Sequence, residues 1–227
     1  MARKILGSLL LVLGVACAPN EARETERVRS SGAEPQATAA ADERDAIVFL
    51  GTSLTAGLGL PESQAFPALI QDTLDARGIP FRVVNAGESG GTSAGGLRRI
   101  VWLLRQPVAV LVVELGANDG LRGLDVTAMR SNLQAIIDRT KAAHPDARIV
   151  LLGMQAPPNL GDKYTSAFRD VYPELAEANG AALVPFLLEG VAGVPELNQA
   201  DGLHPTAQGH EILAATVWHV LEGVVRD

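Results

Sequence analysis

An α/β domain built on a parallel sheet is what the hydrophobic pattern of this chain predicts. Three observations lead there. Five short apolar runs fall between residues 46 and 184, and they are continuous rather than alternating, as strands buried on both faces are. Between and after them lie stretches with apolar residues at helical spacing. Polar, glycine-rich segments follow the first three runs, and ligands bind at the carboxyl ends of such strands.

The first run is Ala46-Ile47-Val48-Phe49-Leu50, closed by Gly51. A helix-like stretch over 65–77 puts Phe66, Leu69, Ile70 and Leu74 on one stripe, and Gly78 stops it. Phe81-Arg82-Val83-Val84 is the second run, followed by a helical stretch over 94–104. Ala109 to Val113 is the third, followed by 127–143. Ile149 to Leu152 is the fourth, followed by 165–179 and Gly180. Ala182-Leu183-Val184 is the fifth, and 206–225 forms the last helix. This alternation implies right-handed crossovers. Trp102 and Trp218, at helical positions, read as packing residues. His144 at a helix end, and His210 and His219 in the last helix, read as structural.

Upstream of residue 45 the pattern is different. Arg3 and Lys4 precede an apolar stretch from Ile5 to Val15, then Ala16 and Cys17. That is the layout of a secretory signal peptide, and the run is too short for the ~20 residues that cross a bilayer. Cys17 is the only cysteine and sits where bacterial lipoproteins carry the thiol that is lipidated. Gly14 stands where that motif usually has a branched apolar residue, and the other reading is ordinary cleavage near Ala16 or Ala18. Residues 18–44 are rich in Ala, Glu, Arg and Ser, and cannot bury enough surface to offset their ordering. The expected organisation is a signal segment with a lipobox-like cysteine over 1–17, a flexible linker over 18–44 and one domain over 45–227. The protein is thus expected to be exported, as a periplasmic or membrane-anchored bacterial lipoprotein.

Composition narrows the function classes. The 227 residues are 47% hydrophobic, enough for one domain with a core. The net charge of -7 disfavours nucleic acid, which needs a surplus of Lys and Arg. Aromatics at 4% disfavour stacking platforms for single-stranded nucleic acid as well.

Four loop segments carry the chemistry. Ser53 follows the first strand in Gly51-Thr52-Ser53-Leu54, where its N–H would sit at a helix N-terminus. Alone it reads equally as a turn or N-cap residue. Serine becomes a nucleophile only beside a base that is itself oriented, with donors aimed at the oxyanion. His204, in Asp201-Gly202-Leu203-His204-Pro205, supplies a base, and Asp201 three residues upstream can fix its tautomer. Alone, this is also a helix start with an exposed histidine. A metal site is disfavoured because no second His or Cys stands at ligand spacing. Asn118, in Gly116-Ala117-Asn118-Asp119, can donate its side-chain amide or be a turn residue. Gly90, in Asn85-Ala86-Gly87-Glu88-Ser89-Gly90-Gly91, can donate its N–H. That segment lacks the G-x-G-x-x-G spacing of a dinucleotide site.

Taken in order, these four segments resemble the GDSL, or SGNH, hydrolase family. Val83-Val84-Asn85-Ala86, Val113-Glu114-Leu115-Gly116, Asp119-Gly120-Leu121-Arg122-Gly123 and Met154-Gln155 are similar to its bacterial thioesterase/arylesterase/lysophospholipase branch. The resemblance spans roughly residues 46–220. It implies a three-layer α/β/α sandwich with a flavodoxin-like, five-stranded parallel sheet. It implies Ser53 as nucleophile, Asp201 and His204 as its triad partners, and an oxyanion hole from Ser53, Gly90 and Asn118. No cofactor and no metal are expected. The implied activity is hydrolysis of aryl or short-to-medium acyl esters, and of thioesters or lysophospholipids, through an acyl-enzyme. Acyl transfer or polysaccharide deacetylation would use the same triad, and a non-catalytic binding lipoprotein would use none of it. Leu54, Leu58, Leu60, Leu121, Leu124, Ala156 and Pro157 are expected near the cleft, with Leu54, Leu121, Ala156 and Pro157 contacting substrate. One position departs: Thr52 stands where the family usually has aspartate, so it can hydrogen-bond but carries no charge.

Lipidation has a direct readout. The full-length protein should partition into detergent, and Cys17→Ala should move it to the aqueous phase. Unchanged partitioning of the variant would exclude the thiol anchor.

Overall fold

The computed structural model describes residues 43–226. The expected signal segment, Cys17 and the expected linker up to residue 42 lie outside them.

Strand β1 (Asp45–Gly51) is central, and Ala46 to Leu50 are all essentially inaccessible. Alternate side chains of a strand point to opposite faces, so both faces of β1 are covered. It pairs in parallel with β2 (Phe81–Gly87) on one side and β3 (Val110–Val113) on the other. β4 (Arg148–Leu152) and β5 (Ala182–Val184) extend the sheet, giving the order β2-β1-β3-β4-β5. β2 runs further than its apolar residues predict. Asn85 to Gly87 stay in register with Phe49 to Gly51, so the loop begins later than expected.

The helices are α1 (Ser53–Ala56), α2 (Phe66–Ala76), α3 (Ser93–Leu103), α4 (Ala117–Leu121), α5 (Val126–Ala143), α6 (Asp162–Asn179) and α7 (Ala207–Arg226). The chain moves one way across the sheet from β1 to β2, and the other way from β2 onward. Right-handed crossovers therefore place α2 on one face and α3, α5 and α6 on the other. Helix α2 packs on α7, and α3, α5 and α6 pack in sequence, completing three layers. No described helix is long and apolar enough to cross a membrane.

Two expectations for single residues separate here. Trp218 is buried against the core, and Arg77 lies over its ring. Trp102 is 67% exposed and is not a packing residue. The inner face of α3 is taken by Ser93, Gly96 and Ile100, which turns Trp102 outward.

His210 has the structural job expected of it. Ala65 cannot cap α2, so the buried imidazole does: the Phe66 N–H donates to His210 Nδ1 at 3.1 Å. The ring also stacks on Phe66. Burial, with a smaller contribution from the charge of His204, lowers the His210 pKa to about 4. Between that value and about 6.5 the unfolded chain binds a proton that the folded chain refuses. This contribution to stability is therefore intact above about pH 6.5 and is lost as pH falls toward 4. Melting temperatures over pH 4–6.5 should fall with a shallower slope in His210→Gln, which can still accept from Phe66 but does not titrate.

Candidate active site

The strand order reverses between β1 and β3, and a crevice opens there at the strand carboxyl ends. Ser53 enters it from β1, and Asn118 enters it from the short helix after β3. Asn118, expected either as an amide donor or as a turn residue, lies in the first turn of α4.

Ser53 is nearly buried at 9% exposure. Its Oγ lies 2.9 Å from His204 Nε2, and His204 Nδ1 lies 2.6 Å from Asp201 Oδ2. Asp201 Oδ1 accepts the backbone N–H groups of Leu203 and His204. These bonds, the His204 backbone N–H first and then its ring, hold the Asp201 carboxyl well below the usual carboxylate range. An ionised Asp201 accepts from Nδ1–H, which leaves Nε2 free to take the Ser53 proton.

The loop carrying His204 is tied back to the loop that follows Ser53. Gln199 Nε2 donates to Leu58 O at 2.8 Å and to Pro205 O at 3.0 Å. Asn198 bridges to Pro205, and the Gln199 N–H donates to His204 O at 2.7 Å. Gln199 carries no signal in the sequence, because nothing local marks an amide as a long-range staple.

The donor side is held as firmly. Asp119, beside Asn118, is buried and accepts from Ser93 N–H at 2.8 Å and Ser93 Oγ at 2.6 Å. Asn132 Nδ2 then donates to Ser93 Oγ. This pins α4 to the start of α3, just past the Gly90 loop. Arg122, at the end of α4, donates to Gly90 O at 3.0 Å. Gly90 has φ +76°, where a side chain would be strained, although space around it is open. Arg99 adds a clamp beneath, pairing with Glu88 at 2.6 Å and donating to Gly51 O and Ala86 O.

A second buried acid lies under Ser53. Glu114 is fully buried, and Thr52 and Thr55 both hydrogen-bond to it. Burial pushes its carboxyl pKa up, and the hydrogen bonds from Thr52 and Thr55 act against that. Thr52 thus serves through its hydroxyl and N–H, as its chemistry allows. Sequence reasoning quoted Glu114 only within a motif, yet one acid closing the run Val110 to Val113 was a signal. Gly51 is needed here, since a Cβ would collide with Thr55 and Glu114.

A cavity of about 570 Å³ opens beside Ser53, lined by Ser53, Gly90, Asn118 and His204. Its apolar wall includes Leu54, Leu58, Leu121, Ala156 and Pro157, as expected. Leu60 and Leu124 are absent from that wall, and Leu124 faces solvent. Phe186, Leu188 and Leu203 join it from the long segment after β5, which sequence periodicity left unassigned. Among the described residues there is no cluster of three metal-ligating side chains.

Removing the Asp119 carboxylate should unsettle this corner. Asp119→Ala leaves the Ser93 N–H and hydroxyl without their buried acceptor, at a cost of about 1–3 kcal/mol. Denaturant unfolding should report that loss.

Esterase TesA of Pseudomonas aeruginosa is 45% identical over 177 residues, covering 78% of this chain and 87% of that protein. The arylesterase of Vibrio mimicus is 39% identical, covering 79% of this chain and 90% of that protein. The crystal structure of AlinE4, an SGNH-hydrolase family esterase, superimposes with a TM-score of 0.67 at 44% identity, over 80% of this chain and 97% of that one. Residues 49–212 match the GDSL-like lipase/acylhydrolase family, and the chain belongs to it.

Proposed function

We propose that the protein hydrolyses carboxylic esters through an acyl-enzyme on Ser53, with His204 as base and Asp201 as its orienting acid. The observation that carries this is the unbroken relay from Ser53 Oγ through His204 to Asp201, at 2.9 and 2.6 Å.

His204 Nε2 takes the Ser53 proton as Oγ attacks the acyl carbon. The carbonyl oxygen becomes an oxyanion, and the Ser53 N–H, the Gly90 N–H and the Asn118 amide are its proposed donors. Collapse expels the alcohol or phenol, which leaves with the proton held on His204. Water then attacks the acyl-enzyme, His204 accepts its proton, and Ser53 is released. The apolar wall from Leu54, Leu121, Ala156 and Pro157 favours an acyl chain or aryl ring over a sugar. The relatives named esterase and arylesterase support the same substrate class. Export with a lipid anchor on Cys17 belongs to this reading and rests on the sequence of residues 1–17.

Ser53→Ala should lower p-nitrophenyl ester turnover by at least about 10⁴-fold with the fold intact. Asp201→Asn should lower it by about 10²–10⁴-fold. Because Asp201 is held ionised well below the usual carboxylate range, its own titration should leave no step in the acid limb of kcat/KM. Undiminished turnover by Ser53→Ala would remove the nucleophile assignment.

A further inference from the structure

Glu114 is fully buried and ionisable, yet it stands outside the relay through Ser53, His204 and Asp201. Its two oxygens are used unequally. Oε2 accepts from Thr52 N–H at 2.7 Å, Thr55 N–H at 3.2 Å and the Thr55 hydroxyl at 2.9 Å. The Thr52 hydroxyl lies 3.0 Å from both oxygens, and among the described residues it is the one partner of Oε1. Two of the donors on Oε2 are backbone N–H groups, which can only donate. Oε2 is therefore a bare acceptor whatever the protonation of the group, and any proton sits on Oε1.

Those two N–H groups flank Ser53, one residue before it and two after. Helix α1 is four residues long, and its N-cap Thr52 makes no side-chain capping bond. So short a helix does not hold itself in place. One oxygen, carried by the segment that leaves β3, fixes both shoulders of the nucleophile turn. Glu114 is not among the residues lining the cavity, so it acts on Ser53 and not on substrate.

We propose that Glu114 is a positioning residue for Ser53, working through the acceptor Oε2 rather than through its charge. This rests on Ser53 being the nucleophile. Glutamine can place its carbonyl oxygen where Oε2 lies, with its amide facing the Thr52 hydroxyl, which can accept. Alanine offers no acceptor.

The test compares kcat, KM and melting temperature for the wild type, Glu114→Gln, Glu114→Ala and the Thr52→Val/Thr55→Val pair, on a p-nitrophenyl ester. Glu114→Gln should keep kcat within about threefold of wild type, with an unchanged pH profile. Glu114→Ala should lose about 100-fold in kcat with KM changed by less than about threefold, the mark of a displaced reacting group. The Thr52→Val/Thr55→Val pair keeps both N–H bonds and loses both hydroxyls, so its kcat should fall between these two. It supplies the comparison if Glu114→Ala does not fold. An equal collapse of kcat in a folded Glu114→Gln would overturn the acceptor argument in favour of charge. Wild-type kcat in Glu114→Ala would overturn positioning altogether, and a folded valine pair impaired by as much as about 100-fold would overturn the assignment to the two N–H bonds. Turnover absent from the wild type, or unchanged in Ser53→Ala, would defeat the ester-hydrolase reading instead.

Discussion

The 2.9 Å contact between Ser53 Oγ and His204 Nε2 joins residues 151 positions apart, and the rest of the fold is arranged to hold it. A base half an ångström out of place loses much of its value. Neither loop holds that tolerance alone. β1 fixes the start of one, through pairing on both sides and complete burial. The other is a long segment after β5, and Gln199 and Asn198 tie it to itself and to Leu58 O. The relay is thus precise because two weakly structured segments are each stapled to something rigid.

Buried acids supply much of that rigidity. Glu114 anchors the turn around Ser53, and Asp119 anchors the helix that carries Asn118. A buried carboxyl is costly unless its oxygens are satisfied, and both sites satisfy them with backbone N–H and hydroxyl donors. Thr52 matters in this light. A second carboxylate at hydrogen-bond distance from Glu114 would force the pair to share a proton. Threonine donates there instead, so one acid holds the turn without a like-charged neighbour.

Much of this was legible in the sequence, because hydrophobic burial is written locally. Continuous apolar runs gave the five strands, and the helical stripe of Phe66, Ile70 and Leu74 marked the buried face of α2. Ser53, His204, Asp201, Gly90 and Asn118 each read two ways from their own loops, and their order along the chain, with the family resemblance it carries, singled them out. The sequence was less informative wherever partners are distant. Gln199, Arg99 and Glu114 gain their meaning only from atoms far along the chain. Trp102 misled because helical spacing does not say which face meets the sheet. The wall from Phe186 and Leu188 lies in a segment without periodicity, so no pattern assigned it to the cavity.

The most direct measurement maps the covalent adduct left by a fluorophosphonate. Phosphorus mimics the tetrahedral acyl carbon and traps whichever oxygen attacks it. The account requires one adduct per chain, on the peptide containing Ser53, formed in step with loss of esterase activity. An adduct on another residue, or full inactivation with Ser53 unmodified, would contradict it.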